Sequence, residues 1–231
     1  MPIITISRTF GAGGTPIGRD LARRFDAEFL DRSIVAAVAA RSGISEAEAS
    51  GYDEQLPSVW QRVAAMLATG GTELAMPPVP SEHLVAGVAV EEQLNRLTRA
   101  VIEEAADRGN AVIVGRGGAF ILRRHPTAVH VQVHAPIGIR VRHLMSSAEE
   151  IPADARPDEA SLKALCRSID ARRAEYVKRL FQADWLDPSH YHLAIDTGAF
   201  DFRQAADVIE LAARRRSPEA AAGGEEVRPG S

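Results

Sequence analysis

The chain has 231 residues, of which 45% are hydrophobic and 25% are charged, and its formal net charge is -4. This size and composition suit one globular domain with a buried core, and the acidic balance argues against a protein dedicated to nucleic acid or membrane surfaces. The single cysteine, Cys166, excludes an intrachain disulfide and falls in a helical pattern, where we expect an inert thiol. Without a signal-like start or an apolar run that could span a membrane, we expect a cytoplasmic protein.

Strand and helix patterns alternate along the chain. The first apolar run, residues 3–6, leads into a glycine-rich turn and then into an amphipathic pattern over residues 14–25. Such continuous apolar runs are typical of strands buried on both faces of a parallel sheet. The alternation predicts an open three-layer α/β fold with helices on both faces of the sheet. Further strands are predicted at residues 111–114, 129–133 and 192–195, and further helices at 32–42, in a long stripe ending near residue 109, at 162–176 and at 202–213.

Composition marks three segments as irregular. Residues 70–82 hold too many prolines and glycines for the interior of a helix or strand, and we expect a mobile loop there. Residues 146–158 are similar. The stretch from residue 214 onward is rich in charge, alanine and glycine, which favours disorder. We therefore predict one domain over residues 1–213 and a disordered tail over residues 214–231.

The turn after the first strand is close to a phosphate loop. On the pattern G-x-x-x-x-G-K-[ST], Gly13 falls on the second glycine and Thr15 on the hydroxyl residue. Arg8 stands in the place of the first glycine, and Gly14 stands in the place of the lysine. Together with Gly11, these glycines allow positive φ and a close approach of the backbone to an anion at a helix N-terminus. The turn either binds phosphate, with Thr15 as a cap or a Mg²⁺ ligand, or is a plain strand-to-helix connection.

Polar residues also follow two other predicted strands. Asp31 and Ser33 come just after the first helix, where they either cap the next helix or border a ligand at the carboxyl end of a strand. Arg116 follows the strand at 111–114 and is flanked by glycines, small neighbours that would allow its guanidinium a bidentate contact with phosphate. The alternative is a glycine-rich turn with a solvated arginine.

A strongly basic helical segment covers residues 162–182 of this acidic chain. Such a helix could close over a polyphosphate and supply charge during phosphoryl transfer, although most charge runs are solvated faces. Arg140 and Arg142, after the strand at 129–133, could join it. Residues 196–198 either border a nucleotide base or, as we prefer, cap the final helix. The basic residues of the segment are Lys163, Arg167, Arg172, Arg173, Lys178 and Arg179.

Taken in order over residues 1–213, these segments resemble the cytidylate kinase-like branch of the P-loop nucleoside monophosphate kinases. The Ser-Arg start of the first turn and the glycine in the lysine position are typical of that branch. Residues 29–33 match the start of the monophosphate-binding region, and residues 115–118 sit where cytidylate kinases carry Gly-Arg-Asp-x-Gly-Thr. The resemblance implies a P-loop NTPase-type sheet with a helical monophosphate-binding insert at residues 32–105. It also implies an arginine-bearing lid at residues 146–182.

The resemblance also implies the site residues and the ligands. ATP phosphates are expected at Gly11, Ala12, Gly13, Gly14 and Thr15, with Mg²⁺ on Thr15. A pyrimidine nucleoside monophosphate, CMP or dCMP, is expected at Asp31, Ser33, Arg116 and Asp170. The catalytic charges are expected from Arg8, Arg167, Arg172 and Arg173. We expect nucleotide partners, no nucleic acid or membrane partner, and a monomer or homodimer.

Three departures from the family pattern bear on activity. Arg8 replaces the first glycine of the loop. Gly14 removes the lysine that reaches the transferred phosphate, and loss of one preorganised charge of this kind costs about 10²–10³ in rate. Gly117 stands where an acid follows the substrate arginine. Either another cation replaces the lysine, with Arg8 foremost, or the site binds without turnover. The alternatives to a cytidylate kinase are therefore a nucleotide-binding or regulatory module, and a kinase for another small metabolite.

Overall fold

The computed structural model describes residues 2–31, 81–147 and 157–216, and in the second range it describes side chains from residue 95 onward. These residues form a sheet whose neighbouring strands all pair in parallel, in the order β2-β3-β1-β4-β5. The central strand is therefore β1, the one that leads into the first glycine turn. The strands are β1 (Ile3–Arg8), β2 (Glu28–Leu30), β3 (Ala111–Val114), β4 (Ala128–His134) and β5 (Leu193–Asp196).

Helices follow the strands and cover both faces of the sheet, which confirms the predicted α/β fold with three layers. They are α1 (Gly14–Phe25), α2 (Ser81–Arg108), α3 (Gly118–Ile121), α4 (Ile137–Ser146), α5 (Glu159–Phe181) and α6 (Phe202–Arg216). A single turn of 3₁₀ helix, Pro188–His190, precedes β5.

The alternation of side chains along each strand divides the core into two halves. Ile4 and Ile6 of β1 pack in one buried cluster with apolar residues of α1 and α6, whereas Ile3 packs in another with α2. The carboxyl-terminal part of α2 contributes Ile102 and Ala105, both fully buried, so this part of the long helix packs internally against the sheet. Residues i and i+2 of a strand share a face, which is why one apolar run serves both layers.

A third buried cluster joins the first glycine turn to α4 and α5. It includes Phe10 of the turn, Leu144 of α4 and Leu162 of α5. Cys166 lies in this cluster and is fully buried. Burial raises the pKa of the Cys166 thiol to about 11, which confirms the expectation of an inert thiol. The helix predicted as a lid, α5, is therefore packed along its buried face against the first glycine turn.

Several boundaries differ from the predictions. Strand β1 runs two residues further than predicted, to Arg8, and α2 already begins at Ser81, within the predicted 70–82 loop. Helix α6 extends to Arg216, three residues into the predicted tail. The predicted helix at 32–42, most of the insert, and residues 148–156 and 217–231 lie outside the described residues.

Candidate phosphate-binding site

The first glycine turn has the backbone shape of an anion cradle. Gly11 and Gly13 have φ values of 82° and 85°, a region that L side chains rarely adopt. A Cβ on Gly13 would also overlap the ring of Phe202 at the start of α6. Both the backbone conformation and the lack of space therefore favour glycine at this position. Gly13 is the N-cap of α1 and has no side-chain cap among the described residues. The first N–H groups of α1 have no acceptor within the helix, and they carry its positive dipole end.

The main chain before this cradle is tied to α5. The Asp170 carboxylate accepts the Phe10 N–H at 2.8 Å and an Arg140 N–H at 2.5 Å. Arg140 also donates to the Phe10 carbonyl at 3.1 Å. Arg173, only 4% exposed, donates to the carbonyl of Arg8 at 2.9 Å, and its guanidinium lies over the Phe10 ring. Asp170 and Arg173 therefore contact the backbone of residues 8–10, at the start of the first glycine turn.

Two further carbonyls of the turn accept hydrogen bonds from side chains. The Thr197 hydroxyl, just after β5, donates to the Ala12 carbonyl at 2.9 Å. His143 of α4 has its Nδ1 3.0 Å from the Gly11 carbonyl, so this nitrogen carries the proton that it donates. The His143 ring packs edge-on against Phe202. Side chains from three separate elements thus fix the conformation of the turn.

The predicted residues Arg8, Thr15 and Asp31 meet beside the cradle. The Arg8 side chain passes over Gly14, and its guanidinium lies 4.0 Å from the Asp31 carboxylate. The Thr15 hydroxyl donates to the other Asp31 oxygen at 3.4 Å. Thr15 does not cap α1, because Gly13 holds that position. A hydroxyl and a carboxylate next to a phosphate cradle are the oxygen donors that suit Mg²⁺, so the residues present fit both a polyphosphate and this ion.

The second glycine turn lies at the end of β3, next to β1 in the sheet. Gly115, Arg116 and Gly117 are all left-handed, with φ values of 81°, 58° and 68°. A Cβ on Gly115 would overlap the Arg8 guanidinium, and one on Gly117 would lie 2.5 Å from the Phe181 ring at the end of α5. The turn therefore brings Arg116 to the same edge of the sheet as Arg8.

Two of the predicted arginines make none of the cradle contacts described above. Arg167 and Arg172 are exposed, and five residues along an α-helix separate them by about 140° around α5. The structure does not bring them together or onto the buried face that holds Arg173. Ser33 lies outside the described residues.

Other contacts differ from the sequence interpretation or were absent from it. The final helix is capped by Asp201 and Gln204, each of which accepts the other's backbone N–H. The cap assigned to residues 196–198 was therefore wrong. Arg140 had been noted as a possible partner of α5, but its contact with Phe10 had not. Neither His143 nor the Thr197 contact with Ala12 carries a local sequence signal.

Among the described residues, both metal-ligand clusters and membrane-spanning helices are absent. In the ranges 2–31, 81–147 and 157–216, no cluster of three or more His, Cys, Asp or Glu side chains could hold a metal ion. Within the same part of the chain, none of the helices combines the length and apolarity that a membrane crossing requires.

Comparisons with known proteins agree with this arrangement. A family model described as the cytidylate kinase-like family matches residues 3–199. A crystal structure of an uncharacterized protein from Eubacterium ventriosum superposes with a TM-score of 0.61 at 17% identity, covering 93% of this chain and 99% of that one. At this identity the likeness supports the fold alone.

Two further matches are weaker. Shikimate kinase from Bacteroides thetaiotaomicron is 17% identical and has a TM-score of 0.45 over 92% of this chain and 94% of that one. Among curated proteins, a uronate isomerase from Corynebacterium glutamicum is 27% identical over 157 residues, 68% of this chain and 27% of that protein. The chain therefore spans only about a quarter of the length of that relative.

Proposed function

Because the chain belongs to the cytidylate kinase-like family, we propose that it transfers the γ-phosphoryl group of ATP to a pyrimidine nucleoside monophosphate, CMP or dCMP. One observation supports this proposal most strongly. Arg8, Thr15 and Asp31 meet directly beside a glycine cradle at a helix N-terminus. A cation, a hydroxyl and a carboxylate around an anion site are the groups that phosphoryl transfer needs.

In this proposal the donor phosphates bind the first turn. The backbone N–H groups at the start of α1 bind the phosphates, and the positive end of the helix dipole favours their negative charge. Thr15 holds Mg²⁺, and Asp31, which already accepts the Thr15 hydroxyl, orients that hydroxyl. When bound, Mg²⁺ would offset the negative charge of the phosphates during transfer.

Arg8 supplies the charge that a lysine at position 14 would supply. Its side chain is 15% exposed, and its backbone is fixed in the central strand. A partly buried guanidinium held in this way costs little reorganisation during the reaction, which is the basis of electrostatic stabilisation. We assign Arg8 as the main catalytic cation.

The acceptor binds on the side of Asp31, Ser33 and Arg116. Arg116 contacts the monophosphate in a bidentate manner. The predicted insert at residues 32–105 would determine the specificity for the base. An oxygen of the acceptor phosphate attacks the γ-phosphorus in line, and the bond to the bridging oxygen of ADP breaks. The protein contributes positioning and charge and forms no covalent intermediate.

Helix α5 has two roles in this proposal. Asp170 and Arg173 act as positioning residues, since their contacts are to the backbone of residues 8–10. Exposed Arg167 and Arg172 add positive charge to α5, as the family resemblance implies. The assignment of Asp170 to the substrate has less support than its role in holding the turn.

The direct test is incubation with Mg²⁺–ATP and a panel of CMP, dCMP, UMP, AMP and GMP. We expect acceptor-dependent ADP and a diphosphate product with CMP or dCMP. Arg8→Ala should lower kcat by about 10²–10³ with a folded protein remaining. Arg23→Ala is the matched control, because its side chain is 79% exposed on α1. A wild-type rate for Arg8→Ala would exclude Arg8 as the catalytic cation.

A binding or regulatory module is the second candidate. Gly14 in place of the lysine and Gly117 in place of an acid both favour it, since each removes a charged group from the family pattern. Saturable ATP binding without product for any monophosphate would favour this module or a kinase for another small metabolite. Cytoplasmic location and a monomeric or homodimeric state stay predictions from the sequence.

A further inference from the structure

The two departures of the first turn from the phosphate-loop pattern are in contact with each other. Arg8 stands in the place of the first glycine, and Gly14 stands in the place of the lysine. A Cβ on Gly14 would lie 2.8 Å from both Cβ and Cγ of Arg8, and 3.3 Å from its Cδ. Real Cβ atoms essentially never approach another heavy atom closer than 3.0 Å.

Rotation of the Arg8 side chain cannot relieve this overlap. The Cβ position depends on the main chain and does not change with χ1. The main chain of Arg8 lies in the central strand, in register with Val133 of β4. Its carbonyl also accepts a hydrogen bond from buried Arg173. On the other side, Gly14 begins α1, whose Ile17 and Leu21 are fully buried against the sheet.

The far end of Arg8 imposes a similar restriction. A Cβ on Gly115 would overlap the Arg8 Nη1 atom. Beyond Gly115, the guanidinium reaches Asp31 at 4.0 Å. The arginine thus follows a path along which two successive contacts, with Gly14 and with Gly115, leave no room for a side chain.

We propose that Arg8 and Gly14 form a mutually exclusive pair, so that this loop accepts a side chain at position 8 or at position 14 but not at both. In this view the missing lysine is the steric consequence of Arg8, which moves the cation from the start of α1 to the end of β1. The steric part stands on geometry alone. The catalytic part rests on the proposed function.

The steric part is tested by thermal unfolding of the unliganded protein. Gly14→Lys should lower Tm by about 5 °C, the expected effect of overpacking in a domain of this size. In an Arg8→Gly background, Gly14→Lys should cost no more than the control. In an Arg8→Ala background the loss should largely persist, because the Arg8 Cβ that overlaps is retained. This graded order separates contact with the Cβ from repulsion between two cations.

Gly138→Lys is the matched control. Gly138 lies in the first turn of α4, and a Cβ there would meet nothing within 4 Å. It reports the cost of a lysine at a helix N-terminus without a steric clash. Gly14→Ala adds only the overlapping Cβ, so it carries the same comparison if Gly14→Lys does not fold. Equal Tm losses for the position 14 change in the Arg8 and Arg8→Gly backgrounds would overturn the pair.

The catalytic part is tested with the same proteins. Arg8→Gly should lower the rate of ADP formation with CMP by about 10²–10³, because it removes the cation. Gly14→Lys should also lower the rate, because the overlap displaces Arg8 or the start of α1. The double variant Arg8→Gly/Gly14→Lys should recover to within about tenfold of wild type, since one cation is again present. Coupled Tm values without any activity in the wild type would support the steric pair and reject the proposed function. Activity that is lost additively in the double variant would reject the relocated cation.

Discussion

The two glycine turns of this molecule follow neighbouring parallel strands, yet they are built in different ways. The first, after β1, leads into the 12-residue α1, and side chains of α4, α5 and Thr197 hold its main chain. The second, after β3, leads into the four-residue α3 and contains three consecutive left-handed residues. The first turn is held by contacts from other elements. The second turn contains Arg116, a non-glycine residue at positive φ, so its strain lies within its own backbone.

In the proposed function, this difference follows from what each turn would present to a ligand. Glycine lets backbone N–H groups approach a phosphate closely, so a glycine-rich first turn needs support from other elements. The second turn presents the side chain of Arg116. A non-glycine residue at positive φ costs on the order of 1–3 kcal/mol, and such strain is typical of functional sites.

Gly13→Ala should have the largest effect, because it adds both a Cβ at positive φ and an overlap with Phe202. We expect a loss of about 4 kcal/mol and a Tm decrease of about 10 °C, measured by calorimetry. Gly138→Ala is the control, since its Cβ would enter open space in a helix. If Gly13→Ala had the same Tm as wild type, the first turn would adapt to a side chain at low cost, and its contrast with the second turn would be lost.

Asp170→Asn should come second, because it removes the carboxylate between Arg140 and Arg173, whose side chains are 11% and 5% exposed. Breaking such a pair leaves uncompensated buried charge and should cost about 3 kcal/mol. Asp207→Asn, whose side chain is 57% exposed beside Arg24, should cost less than about 1 kcal/mol. Urea unfolding measures both variants, and similar losses would contradict the anchoring role of Asp170.

Thr197→Val should cost about 1 kcal/mol, since it removes the hydroxyl that donates to the Ala12 carbonyl and keeps the side-chain shape. Nucleotide binding should weaken with little change in fold, as seen by titration with Mg²⁺–ATP. Thr127→Val, at a hydrogen bond of 3.5 Å far from the turn, is the control. Unchanged ATP affinity would mean that the turn keeps its shape without this support.

Arg116→Gly should have the smallest effect on stability, and of the opposite sign. Glycine adopts positive φ without the steric cost of a Cβ, but it loses more backbone entropy on folding, so the variant should be more stable by about 0.5 kcal/mol. Its KM for the acceptor monophosphate should rise sharply while ATP binding is retained. Arg116→Lys keeps the strain and a positive charge, and its stability should match wild type. A less stable Arg116→Gly would mean that the side chain supports the fold.

Local patterns predicted the parts of the fold that have strong periodicity. Helix α1 and strand β3 were predicted at the observed bounds, because one has a clear amphipathic stripe and the other is a continuous apolar run. Strand β2 has only three residues and begins with exposed Glu28, so it lacks such a signal. Helices α3 and α4 were missed for a similar reason, because both are short. Helix α3 has four residues and follows Gly117, and α4 has ten residues and follows Pro136.

The candidate site was predictable to the extent that it follows the strand ends. Arg8, Thr15, Asp31 and Arg116 were all predicted as site residues, and the structure brings the first three together. The contact between Thr197 and Ala12 joins residues 185 positions apart, and no local pattern encodes it. The spacing of Asp170 and Arg173 was noted, but the spacing does not say whether these side chains meet a substrate or the backbone of the turn.

The contact between Arg8 and Gly14 has a consequence for how such a loop could evolve. A lineage that carries the arginine cannot gain the lysine in a single substitution, because the first lysine would clash with Arg8. Losing the arginine first removes the only cation that the loop itself provides in the proposed reaction. If the proposed pair and the proposed reaction both hold, each intermediate would be less fit than either end, a case of reciprocal sign epistasis. Contact between two residues would then separate arginine-bearing from lysine-bearing loops in evolution.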